Sequence, residues 1–229
     1  MRGGGAAAPS EAPLNSVTDD LISYLREHFP ALVLGDALFY GWPIGIRFDL
    51  GGRALTVEDF ARVQRRATTL FEAIFLPGDA CLVVSQDWPD GDTPNHEQTH
   101  HSMLSDFAVK QAVGLRQPSG RVRIQAAEGG ETSPCTLTWF EQSGRDFRYG
   151  SILEGIANAD HWRFPALSSR VYFVNPRTHV IVHMYDDRGL DMIATTKPAL
   201  VSIYREFGSW ILDYDREQID DLFGGERKP

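Results

Sequence analysis

Residues 171–194, VYFVNPRTHVIVHMYDDRGLDMIA, decide the fold of this chain. Two largely apolar runs, 171–174 and 178–185, flank the turn formers Asn175-Pro176-Arg177 and predict a pair of antiparallel strands. After a second, polar turn, the run 192–194 predicts that the sheet continues. Such hairpin signals dominate the second half of the chain, and no regular βαβ spacing is present. We therefore expect an α+β fold with a mostly antiparallel sheet and helices packed on it.

The rest of the chain adds helical and extended patterns around that sheet. The clearest helix is 57–75, where apolar residues recur with helical spacing and Thr56 can cap the start. A later helix has Pro198 near its first turn and Thr196 as its predicted cap. The other predicted elements are a helix from Ser16 that Pro30 ends, strands at 44–50, 80–85, 121–126 and 136–141, and helices through 103–109, at 151–160 and at 215–223.

Composition narrows the class of protein. With 229 residues, 42% hydrophobic and 23% charged, the chain can bury a core; we expect a single domain at 16–225 after a disordered arm at 1–15. The net charge of −9 argues against nucleic acid as a partner, because phosphate binding needs a basic face. No run reaches the roughly 18 apolar residues of a membrane helix. Two cysteines are too few for a disulfide framework and indicate a reducing, cytoplasmic setting, with Cys81 buried and Cys135 more exposed in a polar loop.

The acidic turn, residues 185–191, places three aspartates and one arginine between two strands. One interpretation is structural: the turn is of type I with Gly189 left-handed, and Asp187 hydrogen-bonds backbone amides. In the same interpretation Asp186 or Asp191 holds Arg188 in a bidentate pair. The other interpretation is functional: the carboxylates bind a divalent cation or a basic group of a partner, and Arg188 contacts an anion. The sequence leaves both open.

The strand before the acidic turn has two different faces. Val180, Val182 and Met184 share an apolar face that we expect in the core. The other face carries His179, Ile181, His183 and Tyr185. Exposed to solvent, this second face would form a polar surface that leads to the aspartates.

A second motif lies at 96–100, where His96-Glu97-Gln98-Thr99-His100 matches the His-Glu-x-x-His pattern of zinc hydrolases. On a helix the two histidines would share a face and bind zinc, while Glu97 activates water. The context argues against it, because the motif directly follows a polar loop rich in Asp, Pro and Gly. A third ligand is also missing from the neighbourhood. We therefore expect no metal or cofactor, and keep a zinc-dependent hydrolase as the alternative function.

The acidic turn is also the most specific part of a resemblance. The run 185–191, the strand 171–175 before it, the segment 204–215 after it and the stretch 39–48 together resemble a bacterial domain-of-unknown-function family, number 3885. In outline the resemblance covers residues 20–223. It implies no established activity. Small acidic bacterial proteins of this sort are often immunity proteins, which is an analogy of type.

These observations favour a cytoplasmic protein-binding module over an enzyme. We expect an immunity-type protein of a toxin–antitoxin pair, in which acidic surfaces cover a basic toxin domain and association is fast and salt-sensitive. Neither nucleic acid nor membrane is an expected partner. The predicted contact residues are Asp186, Asp187, Arg188 and Asp191 of the acidic turn and Asp87, Asp90 and Asp92 of the loop that precedes the histidine motif.

Overall fold

The computed structural model describes residues 21–35, 37–52, 56–88, 102–128, 131–161 and 163–224. At its centre lies a seven-stranded antiparallel sheet, which confirms the predicted α+β class. The order across the sheet is β1-β7-β6-β5-β2-β4-β3. The strands are β1 (Gly45–Asp49), β2 (Ala80–Asp87), β3 (Gly120–Glu128), β4 (Glu131–Ser143), β5 (Arg170–Asn175), β6 (Val180–Met184) and β7 (Gly189–Ala194).

The helices follow the predicted pattern with local differences. They are α1 (Leu21–His28), α2 (Leu38–Gly41), α3 (Val57–Ile74), α4 (Phe107–Val113), α5 (Tyr149–Asn158), α6 (Pro198–Glu206) and α7 (Arg216–Phe223). Thr56 caps α3 as predicted: its hydroxyl accepts from the Asp59 amide at 3.1 Å. The predicted Thr196 cap is wrong, because Lys197 directly precedes α6 and makes no side-chain cap bond. Pro198 itself, with its fixed φ, starts that helix.

Helices and their connections cover both faces of the sheet. On one face, residues such as Phe71 of α3 and Ile152 of α5 pack in a large core with β1, β5, β6 and β7. On the other face, Leu21 and Tyr24 of α1 join a second core with Tyr172 and Ile181. Every residue of β6 and β7 is consequently buried. The residues that position the candidate sites therefore sit on a rigid platform.

The sequence left open whether the second face of β6 lines solvent, and this second core shows that at His183 it does not. His183 is fully buried there, because α1, α2 and the chain between them cover that side of the sheet. The predicted exposure of Cys135 is also wrong: it lies in β4, which pairs with both β2 and β3, and it is fully buried. No helix in the described ranges is long and apolar enough to cross a bilayer.

Candidate functional site

The acidic turn connects β6 to β7 and is closed by Asp186. One carboxylate oxygen of Asp186 accepts from the amides of Arg188 at 2.7 Å and Gly189 at 3.1 Å. The other accepts from Nε of Arg188 at 2.7 Å and from its Nη2. The prediction that Asp186 or Asp191 holds Arg188 is thus resolved in favour of Asp186. The side chain that accepts from the backbone amides of the turn is also that of Asp186, and not that of Asp187 as predicted.

Gly189 is required for a different reason from the predicted one. Its φ is not positive, so it does not occupy the left-handed region. Instead, the hydroxyl of Tyr185 lies against its Cα, and a Cβ atom there would overlap that oxygen. Glycine thus lets the Tyr185 side chain fold back over the start of β7.

Asp191 does not take part in the turn but pairs with Arg47 of β1. The two residues are cross-strand neighbours, and Arg47 donates from Nε at 2.7 Å and from Nη2 at 3.0 Å to the two carboxylate oxygens. The Phe39 amide adds a third bond at 3.0 Å. Burial alone would lower the pKa of Arg47, but the bonds to Asp191 outweigh it and raise that pKa. Because Asp191 is fully buried, it anchors β1 to β7 and has no surface to offer a partner.

Asp187 is buried as well and points to the other side of the turn. Its Oδ2 lies 3.0 Å from Nε2 of His161. Burial raises the pKa of Asp187, and His161 opposes that rise. The side chain rests against Gly52, where a Cβ atom would overlap it, and the Gly52 amide donates to the Asp187 carbonyl at 3.2 Å. The turn is thereby tied to the segment that follows β1.

Asp87, at the end of β2, lies at the same end of the sheet as the acidic turn but has its own partners. It is buried, and it accepts from Ser85 Oγ at 2.7 Å and from Ser169 Oγ. Asp90 and Asp92 lie outside the described residues, as do His96, Glu97 and His100. The zinc alternative therefore stays a prediction. Within the described ranges no group of three or more His, Cys, Asp or Glu side chains is placed to hold a metal ion.

Of the predicted contact residues in the described ranges, Arg188 alone has an exposed side chain, at 71%. It borders a cleft of about 350 Å³ lined by Asp49, Gly52, Tyr185, Arg188 and Leu212. The predicted contact aspartates in the described ranges are instead buried, and their hydrogen bonds stabilise this region. The acidic turn is thus held in place by internal hydrogen bonds and exposes one charged side chain, that of Arg188.

A second region, which the sequence interpretation missed, exposes aromatic side chains beside acidic ones. Tyr214 is 85% exposed and Tyr40 is 56% exposed, both unusual for tyrosines of a folded domain. Tyr40 donates to Asp215 Oδ1 at 3.0 Å, which holds α2 against the C-terminal segment. Partial burial raises the pKa of Tyr40, and the Asp215 bond and the nearby Tyr214 add to that rise.

A groove continues this region along α7. It has a volume of about 290 Å³, and Trp42 and Pro43 face Gln218 and Asp221 across it. We name the whole region the aromatic–acidic surface; its residues are Tyr40, Trp42, Asp213, Tyr214, Glu217, Gln218 and Asp221. The segment 213–221 carries five acidic residues and a single arginine. That density of acids around one tyrosine was the signal in the sequence that could have identified it.

Comparisons with known proteins point to one family. A family model described as a domain of unknown function (DUF3885) matches residues 21–215. The "Uncharacterized protein YnaE" of Bacillus subtilis (strain 168) is 22% identical over 218 residues, which cover 85% of this chain and 98% of that protein. No solved structure matches.

Proposed function

The chain belongs to the DUF3885 family, and we propose that it is a protein-binding module that recognises a basic protein partner through the aromatic–acidic surface. The observation that carries the proposal is the exposure of Tyr214 and Tyr40 next to a run of carboxylates. Tyrosine is enriched in protein interfaces because it supplies large contact area at a low cost in side-chain entropy. Two neighbouring exposed tyrosines beside a groove are a suitable centre for such an interface.

The charge around these tyrosines selects the partner. Asp213, Glu217 and Asp221 are exposed, and Asp213 shows 94% of its side chain to solvent. Arg216 is the single cation of the segment and already pairs with Asp213 at 3.1 Å. Complementary charge raises the association rate and disfavours acidic partners. A basic protein face is therefore the expected complement.

In its specific form, the proposal is an immunity-type protein that neutralises a basic toxin domain in the cytoplasm. The net charge of −9 supports a basic partner, and both cysteines are unpaired thiols, in keeping with a reducing compartment. The acidic turn has a supporting role in this proposal. Asp186 closes the turn itself. Asp191, which follows the turn in β7, binds Arg47 and the Phe39 amide and so holds the edge strand β1 and the neighbouring α2 in place.

The test is affinity capture of the tagged protein from its native host at low and high salt, followed by mass spectrometry. The wild type is compared with Tyr214→Ala/Asp221→Lys and with a matched control, Val57→Ala/Glu58→Lys, which changes an exposed apolar and an exposed acidic residue elsewhere. We expect one basic protein to be captured by wild type and control, to weaken at high salt, and to be lost from the surface variant. Capture of the same partner by all three baits would contradict the proposal.

A further inference from the structure

The groove along α7 combines an apolar lining with one carboxylate. Phe39 and Ile219 are buried and contribute an apolar floor. Trp42 lines one side, and Gln218 and Asp221, one helical turn apart on α7, line the other. With a volume of about 290 Å³ the groove lies at the small end of ligand sites, which span about 300–1,000 Å³, so it has room for one side chain of a partner.

Trp42 brings to the groove an aromatic ring that is held in place. Its indole N–H donates to the Ala194 carbonyl at 2.7 Å, and the ring centroid of Phe29 lies 5.2 Å from that of Trp42. Two other tryptophans, Trp88 and Trp210, each have an arginine of this chain over the ring, with the guanidinium carbon 4.7 Å and 5.2 Å from the centroid. Within the described ranges no lysine or arginine lies over the ring of Trp42. That ring is therefore available to a cation from outside the chain.

The carboxylate on the opposite side is not neutralised by the nearest arginine of α7. Arg216 is the single cation of the segment 213–221, and its Nε donates to Asp213 at 3.1 Å. Its Nη1 and Nη2 donate to the carbonyls of Gly208 at 3.0 Å and Ile211 at 2.8 Å. Asp221 is exposed and forms no ion pair with the described part of the chain. The groove thus has a negative charge opposite an aromatic ring.

We propose that this groove binds an arginine side chain of a protein partner. The inference rests on the proposed function, since it names the group through which the basic partner enters the aromatic–acidic surface. The guanidinium plane stacks on the Trp42 ring, and its N–H groups donate to the Asp221 carboxylate. The side-chain oxygen of Gln218 accepts from a remaining N–H, and the methylene stem of the arginine packs on the apolar floor.

Arginine fits this groove better than other side chains do. A guanidinium is planar and weakly hydrated, so it stacks on an indole and loses less hydration over an apolar floor than an ammonium does. Its rigid fork also matches a carboxylate with two bonds, whereas a lysine offers a point charge. Acidic or phosphorylated side chains are repelled by Asp221 and by Glu217, which is exposed one turn before it.

The experiment is an NMR titration of the purified full chain with three capped peptides that carry a central arginine, lysine or citrulline between glycines. Citrulline has the shape of arginine without its charge. The arginine peptide should bind with a dissociation constant of about 1 mM or tighter and should shift the indole N–H signal of Trp42. The lysine peptide should bind about fivefold more weakly and the citrulline peptide about tenfold more weakly.

Variants then assign the contacts. Asp221→Asn changes an exposed side chain and should weaken binding of the arginine peptide about fivefold or more. Trp42→Leu should also weaken it, and Trp42→Phe, which keeps an aromatic ring, should weaken it less. The matched control Glu58→Gln, which changes an exposed acid on α3, should bind the peptide as wild type does. The proposal is overturned if the arginine and citrulline peptides bind equally well, or if Asp221→Asn binds the arginine peptide as tightly as wild type.

Peptide binding and partner capture fail separately. If all three peptides bind equally while Tyr214→Ala/Asp221→Lys still loses its captured partner, the arginine assignment is wrong and the proposed function stands. If the arginine peptide is preferred but wild type, surface variant and control capture the same partner, the arginine assignment stands and the proposed function is wrong.

Discussion

We expect His183 to make the folded protein sensitive to acid, because it is fully buried on β6 between strands β5 and β7. Its Nδ1 lies 2.8 Å from the Val171 carbonyl, and its ring lies 4.5 Å from that of Tyr172. Burial lowers the pKa of His183 to about 3. In the unfolded chain a histidine has a pKa of about 6.5.

The direction and size of the pH effect on stability follow from the difference between the folded and unfolded pKa values of His183. A group whose folded pKa is depressed contributes stability that is present above its unfolded pKa and is lost as the pH falls toward its folded pKa. At about pH 5 the unfolded chain has taken up the proton and the folded protein has not. The free energy of unfolding should therefore fall by about 2 kcal/mol between about pH 7.5 and about pH 5 on account of His183 alone.

The assay is urea unfolding followed by tryptophan fluorescence at both pH values, for wild type and His183→Phe. The other histidines contribute equally to both proteins, so the difference between their two drops isolates His183. The wild-type drop should exceed that of the variant by about 2 kcal/mol. Ile181→Val, a buried neighbour on the same strand, is the control: it should lose about 1 kcal/mol at both pH values. Equal drops for wild type and His183→Phe would refute the reasoning.

Three further changes test the packing around the acidic turn and α3. Arg47→Ala leaves Asp191 buried without its ion-pair partner and should lower the free energy of unfolding in urea by about 3–5 kcal/mol. The double variant Arg47→Met/Asp191→Leu should recover most of that loss. An Arg47→Ala protein as stable as wild type would contradict this expectation. Gly52→Ala brings a Cβ atom into Asp187 and should cost about 1–3 kcal/mol by thermal unfolding; an unchanged midpoint would show that the turn can move away. Thr56→Ala removes the cap of α3 and should cost about 1 kcal/mol in guanidinium unfolding, with Thr56→Ser close to wild type.

The sheet was predictable from the sequence because strand signals are local. Alternating apolar runs and the turn at 175–177 were enough to predict the β5–β6 hairpin and the antiparallel class. The capped helix α3 followed from Thr56 and from apolar periodicity over five turns. The sequence also predicts that an aspartate holds Arg188 in the acidic turn, although it does not predict which one.

The structural features that the sequence does not predict depend on contacts between distant parts of the chain. Arg47 and Asp191 are 144 residues apart, so nothing local in the acidic turn indicates that its last aspartate pairs with Arg47 of β1. The burial of His183 depends on α1 and α2 packing on the second face of the sheet, which its own alternating strand pattern does not specify. Tyr40 and Asp215 are 175 residues apart, so no local pattern predicts the hydrogen bond between them. The aromatic–acidic surface around that bond is unpredictable for the same reason.

The central claim, that the aromatic–acidic surface binds a basic protein, is tested most directly by photocrosslinking in the native host. A photoreactive phenylalanine analogue replaces Tyr214 in one strain and Val57, which is 75% exposed on another part of the protein, in a second strain. We predict one crosslinked basic protein from position 214 that is missing from position 57. The same products from both positions, or none from position 214, would contradict the claim.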